Sequence, residues 1–436
     1  MSADAAPSLA DRVEADGVRF ILATFVDLHG KPCAKLVPVE ALAELEAGEL
    51  GFAGFAAGAI GQRPSDPDLL AVPDPASYVP LGFVRPGLAM VQCDPHVGAD
   101  PWPYAPRVLL KRVLDTLATR GYTAMVGAEV EYFLVRRGAD GALTTADALD
   151  TALRPCYDAR GVTRMYEHLS TVSRAMNDLG WGNYANDHED GAGQFEQNFA
   201  YADALTTADR VVTLRYILAM LASDAGMTAT FMPKPFTDRT GTGMHLHLSL
   251  WDEAGPAFPS GDDPRGLGLS PAAYSVIGGI LEHAPALSAF LAPTVNSYKR
   301  RGAATTESGA TWSPKTAGYG GNDRTHYIRV PDGNRIELRG GDGSANPYLA
   351  IAAAVAAGIA GLDTGADPGE PGDATERLPL PVTLLHAVDA LRADDTLASA
   401  LGPEVSAYYA GVKEDEFFRW HNTVTPWEVD AYLTAI

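Results

Sequence analysis

The stretch 124–135 reads AMVGAEVEYFLV, and its charged residues are Glu129 and Glu131. An apolar run of this length, rich in β-branched and aromatic residues, predicts a β-strand. Residues i and i+2 of a strand point to one face, so both carboxylates leave the same side of an otherwise apolar element. Two like charges side by side repel unless a cation or a base lies between them. The pair indicates a cation site, although a solvated outer face would give the same pattern.

A second strand-like stretch repeats this arrangement with histidines. Residues 241–250 read GTGMHLHLSL, and strict alternation places His245, His247 and Ser249 on one face. A half-buried strand with a polar face would also alternate in this way. Two histidines at i and i+2 are, however, uncommon on a strand face whose only role is to contact solvent.

Two short segments supply further carboxylates. Glu189 and Glu196 flank the turn-like stretch DGAGQF, and Glu337 lies in RIELR at 335–339. Together with the two strands, these segments offer five Glu and one His, a mostly oxygen ligand set that suits Mg²⁺ or Mn²⁺ better than Zn²⁺. The sequence therefore predicts a site for hard divalent cations.

Arginines concentrate between residues 300 and 339, in a chain that is otherwise acidic. They are Arg300, Arg324, Arg329, Arg335 and Arg339. Such a cluster facing carboxylate-bound metals is what a polyphosphate and an anionic substrate require. The sequence contains neither a P-loop motif nor a Gly-rich dinucleotide motif opening a helix. Any ATP must therefore be held by metal and arginine.

The composition limits the possible partners and the compartment. The 436 residues carry a formal net charge of −22, which argues against nucleic acid or an anionic membrane as the main partner. The longest uncharged stretch, 348–362, is too short to span a bilayer and predicts a buried helix. The N-terminal residues do not form a secretory signal, and three widely separated cysteines indicate no disulfide framework. We expect a cytoplasmic protein.

The distribution of strand-like and helix-like segments predicts an α+β fold. Residues 18–38 indicate a β-hairpin, and 271–289 indicate one helix. The amino-acid composition changes near residue 105, where a Gly- and Pro-rich region is followed by a predicted amphipathic helix. We therefore predict two domains, 1–105 and 106–436.

Ordered motifs along nearly the whole chain resemble those of the glutamine synthetase family, in particular the bacterial branch that includes γ-glutamylmethylamide synthetase. The motifs are FVDLHGK at 25–31, EVE at 129–131, NDHEDGAGQFE at 186–196, FMPKPF at 231–236, GTGMHLHLSL at 241–250, PTVNSYKR at 293–300, NDRTHYIRVP at 322–331, RIELR at 335–339 and NPYLA at 346–350. The resemblance implies an N-terminal β-grasp-like domain and a catalytic domain of the type shared with guanido kinases. In that catalytic domain a curved antiparallel sheet is flanked by helices.

The resemblance also implies a role for each matching residue. One divalent metal would be held by Glu131, Glu189 and Glu196, and a second by Glu129, His245 and Glu337. Arg300 and Arg339 would bind the carboxylates of glutamate, with Gly241 allowing close backbone approach. The nucleotide would contact Tyr201, His247, Ser249, Arg324 and Arg329, with Arg324 also facing the transferring γ-phosphoryl group.

The implied reaction is ATP-dependent ligation of glutamate to an amine in two steps. The γ-carboxylate attacks the γ-phosphate of ATP to give γ-glutamyl phosphate, and the amine then displaces phosphate. A carboxylate is a poor acyl donor until it is phosphorylated, and divalent cations, Mg²⁺ or Mn²⁺, neutralise charge on the transferring group. Glu307 is the candidate flap carboxylate that closes the site and takes a proton from the amine. A surface-loop glutamate remains the alternative.

One departure from the family concerns the amine. Ammonia-using bacterial members carry an Asp-Gly-Ser-Ser latch, and the corresponding stretch here is Phe52-Ala53-Gly54-Phe55-Ala56. Loss of that carboxylate predicts acceptance of a short alkylamine such as methylamine. Glutamine synthesis from ammonia is the close alternative, and a guanido-kinase-like phosphotransferase or a non-catalytic relative are more distant ones.

The family resemblance further implies a homo-dodecamer of two stacked hexameric rings, with active sites between neighbouring subunits. The C-terminal stretch PWEVDAYLTAI would then reach across to the other ring. A tail that packs on its own domain is the alternative.

Overall fold

The structure is a computed structural model that describes residues 7–301, 312–373 and 378–435. Its helices are α1 (Leu9–Ala15), α2 (Leu42–Glu46), α3 (Gly54–Ala57), α4 (Pro106–Ala118), α5 (Ala159–Arg164), α6 (Tyr166–Asp178), α7 (Ala204–Asp224), α8 (Pro271–Glu282), α9 (Ala284–Leu291), α10 (Ser297–Arg301), α11 (Pro347–Thr364), α12 (Leu384–Arg392), α13 (Asp395–Leu401), α14 (Pro403–His421) and α15 (Pro426–Tyr432). Short 3-10 helices span Val39–Ala41 and Pro75–Ser77.

The strands complete the α+β architecture expected from the sequence. They are β1 (Phe20–Val26), β2 (Pro32–Pro38), β3 (Gly51–Phe52), β4 (Leu69–Pro73), β5 (Val79–Pro80), β6 (Leu88–Val97), β7 (Asp100–Pro101), β8 (Thr123–Arg137), β9 (Leu143–Thr145), β10 (Asn183–His188), β11 (Gln194–Phe199), β12 (Ala202–Asp203), β13 (Thr228–Thr230), β14 (Met244–Asp252), β15 (Gly255–Pro256), β16 (Thr316–Ala317), β17 (Tyr319–Gly320), β18 (Ile328–Asp332), β19 (Arg335–Leu338) and β20 (Leu378–Pro379).

The N-terminal region forms a small mixed sheet. Its main path runs β2-β1-β6-β4-β3, with β1 and β2 joined as the predicted antiparallel hairpin and β1 parallel to β6. The hairpin turn is closed by Asp27, whose Oδ1 accepts the backbone N–H groups of His29 and Lys31. Gly30 follows with a φ of 82°, a conformation that favours glycine. One face of this sheet buries an apolar core of its own, and the other packs toward the larger core.

A second, larger sheet carries the predicted metal ligands. Its main path runs β10-β11-β8-β14-β19-β18-β17, and within the described residues it has eleven strands. Strand β8 is central, because it pairs with both β11 and β14 and its ends also pair with three short strands. Along this path, each pair of neighbouring strands between β10 and β19 is antiparallel, so the predicted curved antiparallel sheet is confirmed.

Helices α4, α7, α8 and α11 pack together behind this sheet. Helix α11 contains the uncharged stretch 348–362 and is long and apolar enough to cross a membrane by length and composition. Most of it is buried inside the protein, so the prediction of a core helix is confirmed. Helix α4 begins at Pro106, one residue after the predicted domain boundary, which itself stays a prediction.

One predicted element is wrong. The helix expected over 271–289 is two helices, because α8 ends at Glu282 and α9 begins at Ala284 after a break at His283. Pro285 lies in the first turn of α9. Proline has no N–H to donate, and its ring clashes with the carbonyl four residues earlier, so the helix restarts there.

Candidate active site

Strand register brings the predicted metal ligands onto one face of the larger sheet. Glu131 on β8 lies opposite Glu196 on β11, and Glu129 lies opposite His245 on β14. His247 in turn lies opposite Glu337 on β19. Residues directly opposite each other share a face, so four adjacent strands present one continuous row of carboxylates and imidazoles.

In one half of this row, Glu129 contacts both histidines. Its Oε2 lies 2.9 Å from His245 Nδ1, and its Oε1 lies 2.8 Å from His247 Nε2. Burial raises the pKa of Glu129, but the hydrogen bonds from the two histidines outweigh it and hold that pKa well below its usual range. Glu129, His247 and Glu337 offer ligand atoms within 4.8 Å of one another. His247 therefore lies as close to Glu129 as His245 does.

Three carboxylates form the other half of the row. Burial, followed by the charges of Glu131, Asp187 and Glu129, raises the pKa of Glu189 to about 8. Burial and the nearby charges of Glu129, Glu189 and Glu131 raise the pKa of Glu196 well above its usual range. Glu131 itself accepts hydrogen bonds at Oε2 from Gln194 Nε2 and from the Gly243 N–H, both at 2.7 Å. Closely spaced buried carboxylates of this kind are stabilised by a bound cation.

The donor set fits a divalent metal. His245 Nδ1 faces the carboxylates of Glu129 at 2.9 Å and Glu337 at 3.4 Å, so this nitrogen carries the proton. His245 Nε2 is buried and has no hydrogen-bond partner among the described residues, which leaves a lone pair available for a metal. A carboxylate on one imidazole nitrogen and a free lone pair on the other is a frequent arrangement of metal-binding histidines. The remaining donors are carboxylate oxygens, as Mg²⁺ and Mn²⁺ prefer.

The predicted arginines lie around the same row. Glu337 is fully buried and accepts Arg329 NH1 at 2.6 Å and Arg339 NH1 at 2.5 Å. Arg300 is buried beside Glu131, since a Cβ placed on Gly243 would meet Glu131 Oε1 at 2.7 Å and Arg300 NH2 at 3.2 Å. Arg324 is exposed, and its charge opposes the rise in the pKa of Glu189, which places it on that side of the row.

A cavity of about 640 Å³ opens next to Glu129. It is lined by three of the predicted nucleotide-binding residues, Tyr201, His247 and Ser249. Its volume falls in the range of small-molecule sites. The other two predicted nucleotide residues, Arg324 and Arg329, lie instead toward Glu189 and Glu337.

Several polar contacts of the site were not predicted from the sequence. Gln194 holds Glu131, and Arg335 donates from Nε to His247 Nδ1 at 3.2 Å. The alternation of RIELR predicts that Arg335 shares a strand face with Glu337, but it does not predict the contact of Arg335 with His247. Gln194 lies inside a quoted motif, but nothing in its spacing distinguishes it from a turn residue. The predicted flap residue Glu307 lies outside the described residues.

Comparison with known proteins gives the family. The sequence-family model described as the glutamine synthetase catalytic domain matches residues 103–432 of this chain. A glutamine synthetase of Rhizobium leguminosarum bv. phaseoli is 42% identical over 95% of this chain and 97% of its own length. A glutamate–methylamine ligase of Methyloversatilis universalis is 41% identical over 95% of this chain and 96% of its own length.

Two solved structures agree with these relatives. A structure described as GmaS in complex with ADP has a TM-score of 0.92 and 46% sequence identity, covering 98% of this chain and 99% of that chain. A structure of GmaS without ligand has a TM-score of 0.91 and 44% identity with the same coverage.

The chain belongs to the glutamine synthetase family, so the resemblance drawn from its motifs is confirmed. It is a glutamate–amine ligase, an enzyme that uses ATP to form a C–N bond.

Proposed function

We propose that this ligase joins the γ-carboxyl group of glutamate to a short alkylamine such as methylamine. The observation that carries the proposal is the apolar segment 52–56, which presents Phe55 exposed on α3. The family resemblance implies that ammonia-using members carry an acidic latch at this place. The relative named for methylamine and the two GmaS structures support it. Ammonia is the second candidate, because a relative named glutamine synthetase is 42% identical, against 41% for the relative named for methylamine.

The two metal-binding groups are assigned as the family resemblance implies. Glu131, Glu189 and Glu196 would hold one Mg²⁺ or Mn²⁺ ion. Glu129, His245 and Glu337 would hold another, next to the cavity for ATP. When bound, the ions neutralise charge on the polyphosphate and on the transferring phosphoryl group. The unpartnered Nε2 of His245 and the raised pKa values of Glu189 and Glu196 support this assignment.

The protein's own residues hold the reactants in place for the two steps. Arg300 and Arg339 would bind the carboxylates of glutamate so that its γ-carboxylate faces the γ-phosphate of ATP. Fixing two reactants in this way can lower a barrier by about 7–11 kcal/mol in favourable systems. Arg324 and Arg329 would stabilise charge on the phosphates, while Tyr201, His247 and Ser249 contact the nucleotide.

In the first step an oxygen of the γ-carboxylate bonds to the γ-phosphorus, ADP leaves, and γ-glutamyl phosphate forms. In the second step the amine nitrogen bonds to the acyl carbon and phosphate leaves. Water must be excluded in between, because it would hydrolyse the acyl phosphate. Glu307 is the proposed acceptor of the amine proton.

We also propose that the enzyme works in the cytoplasm as a homo-dodecamer of two hexameric rings, with domains 1–105 and 106–436. The exposed apolar residues of α15 support an assembly, because Trp427 is 67% exposed and Leu433 just beyond the helix 77%. A tail that packed on its own domain would bury such side chains.

A phosphate-release assay with ATP, glutamate and a panel of amines tests the proposed function. We expect kcat/KM to be higher for methylamine than for ammonia, and Glu131→Ala to abolish turnover with both. A higher kcat/KM for ammonia than for every short alkylamine would reject the alkylamine assignment. Full activity of Glu131→Ala would reject the metal assignment.

A further inference from the structure

Asn296 directly precedes α10, the short helix that carries Arg300, and its side chain is bonded to a different segment of the chain. Asn296 Oδ1 accepts the Lys234 N–H at 2.7 Å, and Asn296 Nδ2 donates to the carbonyl oxygen of Lys234 at 3.1 Å. One side chain therefore pairs with both polar groups of the Lys234 backbone. Two hydrogen bonds between the same partners fix the orientation of the two segments as well as their distance.

The segment that Asn296 holds is bonded in turn to the residues just before β14. The carbonyl oxygen of Pro233 accepts the Thr242 N–H at 2.9 Å. The same oxygen would lie 2.2 Å from a Cβ at Gly241, so the two segments are in close contact there. Residues 233–234 thus lie between Asn296 on one side and Gly241 and Thr242 on the other.

Residues 241–243 face both Arg300 and a predicted metal ligand. The Gly243 N–H donates to Glu131 Oε2 at 2.7 Å. A Cβ at Gly241 would lie 2.8 Å from Cγ of Arg300, so the arginine side chain packs directly on this backbone. The contact of Asn296 with Lys234 therefore joins the two walls of one space, the helix that carries Arg300 and the backbone that faces it.

The guanidinium group of Arg300 is itself held weakly. It is buried, and burial lowers its pKa. Within residues 7–301, 312–373 and 378–435, its one hydrogen bond is the long contact of 3.4 Å from NH1 to Ser313 Oγ. The position of this group is therefore set mainly by the backbone of α10. That helix has only five residues, so the residue that anchors its beginning also determines where Arg300 lies.

We propose that Asn296 is a positioning residue for glutamate. By joining the beginning of α10 to Lys234, it holds Arg300 at the distance from Gly241 that a substrate carboxylate requires. This inference rests on the proposed function, which assigns Arg300 and Gly241 to glutamate. The side chain of Asn296 is engaged by Lys234, so it acts through Arg300. A contact that only stabilised the fold would affect Tm and leave KM for glutamate unchanged.

Steady-state kinetics of the full chain test the inference. Asn296→Ala removes both hydrogen bonds, and we expect KM for glutamate to rise about tenfold. Binding that is equal in the ground state and the transition state affects KM alone, so kcat should stay within about threefold. KM for ATP should stay within about twofold, because other residues line the cavity next to Glu129.

Thermal unfolding gives a readout that does not depend on turnover. With Mg²⁺ and ADP present, glutamate should raise the Tm of the wild type, because it binds the folded state. The glutamate concentration that gives half of this shift should rise about tenfold in Asn296→Ala. The shift produced by Mg²⁺ and ADP without glutamate should be the same in both proteins.

Asn177→Ala is the matched control. Asn177 is an exposed residue of α6, and its Oδ1 accepts the Asn183 N–H at 2.9 Å. This variant loses a similar bond between a side chain and the backbone, and it should keep KM for glutamate within about twofold of the wild type. An equal rise in Asn177→Ala and Asn296→Ala would overturn the inference, since KM would then respond to any such loss.

Arg300→Gln separates this inference from the proposed function. If Arg300→Gln raises KM for glutamate but Asn296→Ala changes it by less than twofold, the inference fails alone. If Arg300→Gln leaves KM for glutamate unchanged, the assignment of Arg300 to glutamate fails and this inference fails with it.

A second variant decides the question if Asn296→Ala does not fold. Asn296→Asp keeps an acceptor for the Lys234 N–H but places an oxygen opposite the carbonyl oxygen of Lys234. Two acceptors cannot form a hydrogen bond, so we expect KM for glutamate to rise at least about threefold. An unchanged KM for glutamate in Asn296→Asp would overturn the inference.

Discussion

At the scale of single residues, Gly241 shows how a missing side chain shapes the substrate site. A Cβ at this position would lie 2.2 Å from the carbonyl oxygen of Pro233 and 2.8 Å from Cγ of Arg300. Backbone atoms cannot move cheaply, so Gly241→Ala must displace the Arg300 side chain or shift the backbone at Gly241 and Pro233. We expect KM for glutamate to rise about tenfold or more, because a small misplacement of a positioning residue is costly.

The control for this prediction is Gly261→Ala. No atom of residues 7–301, 312–373 or 378–435 lies within 4 Å of a Cβ at Gly261, apart from its chain neighbours, so that variant should keep the wild-type KM. An unchanged KM for glutamate in Gly241→Ala would remove the basis for assigning Arg300 to this substrate.

Glu189 should stabilise metal binding while destabilising the metal-free protein. Its pKa is raised to about 8 in the fold, so the metal-free protein loses stability as pH rises from the ordinary pKa of a carboxyl group to about 8. The side chain introduced by Glu189→Gln is neutral, so burying it carries no cost of desolvating a charge. We expect its metal-free form to have a higher Tm than the wild type at pH 9, and its affinity for Mn²⁺ to be at least about tenfold weaker.

Thermal unfolding in the presence of a chelator and Mn²⁺ binding followed by electron paramagnetic resonance measure these two effects. Glu253→Gln, which changes an exposed carboxylate, should alter neither. A metal-free Glu189→Gln that is less stable than the wild type at pH 9 would contradict the account of repulsion between carboxylates.

At the scale of elements, α8 and α11 cross so closely that glycines are required at the contact. A Cβ on Gly279 would lie 2.2 Å from the carbonyl oxygen of Ala357 and 2.7 Å from the backbone nitrogen of Gly361. Gly279→Ala should therefore push the two helices apart and lower the free energy of unfolding by about 1–3 kcal/mol.

Gly411→Ala on α14 is the matched control for Gly279→Ala. In the part of the chain that the structure describes, no atom outside the helix's own backbone lies within 4 Å of a Cβ there, so Ala should stabilise the helix by about 0.5–1 kcal/mol. Denaturant unfolding of both variants checks the opposite signs. A stabilising Gly279→Ala would show that the helices can separate freely.

An ion pair links the α8–α9 junction to the start of α13. His283 Nδ1 lies 2.7 Å from Asp394 Oδ2, while Asp394 Oδ1 caps α13 by accepting the Leu397 N–H. The hydrogen bond that His283 Nδ1 donates to the Asp394 carboxylate outweighs burial and raises the pKa of His283. A raised histidine pKa contributes stability that is complete below the unfolded value of 6.5 and is lost as pH rises through the folded value.

Asp394→Asn keeps a capping side chain but removes the charge. We therefore expect it to destabilise the protein by about 1–2 kcal/mol at pH 6 and by much less at pH 9. Tm measured across that range tests the prediction, with the exposed Asp395→Asn as a control of constant effect. A loss that was the same at both pH values would show that the ion pair with His283 does not stabilise the fold.

At the scale of the whole molecule, buried charges join the small sheet to the catalytic region. Arg107 on α4 is buried and contacts Asp74 and Asp94 of the N-terminal region as well as Asp209 on α7. The hairpin turn also docks on the start of α11, where Asn346 Nδ2 donates to the carbonyl oxygen of Asp27 at 3.0 Å. The two regions are thereby fixed to each other next to the site.

The C-terminal helix leaves its apolar residues for another subunit in the proposed assembly. Trp427→Glu would place a charge in that interface at a high desolvation cost. We expect sedimentation velocity to show a large assembly for the wild type and a smaller one for Trp427→Glu. Asp430→Asn, a polar change on the same helix, should leave the assembly intact, and a wild-type monomer would contradict the proposal.

Much of this structure follows from local pattern. An apolar run in 124–135 and alternation in 241–250 predicted the two strands. The side-chain period of two placed Glu129 with Glu131 on one face of the first strand, and His245 with His247 on one face of the second. The β1–β2 hairpin followed from a Gly-containing turn between two apolar runs. The break at His283 was missed, since apolar periodicity continues through Pro285 even though the backbone cannot.

Taken alone, the sequence determined which side chains each strand presents and, through its ordered motifs, the family of the enzyme. Only the tertiary structure decided which segments are neighbours, and hence that Glu129 lies opposite His245 and that Asn296 meets Lys234. Local periodicity is set by covalent geometry within a few residues. Register, burial and the electrostatic fields that raise the pKa of Glu189 arise instead from segments far apart in sequence, where no local pattern specifies the partner.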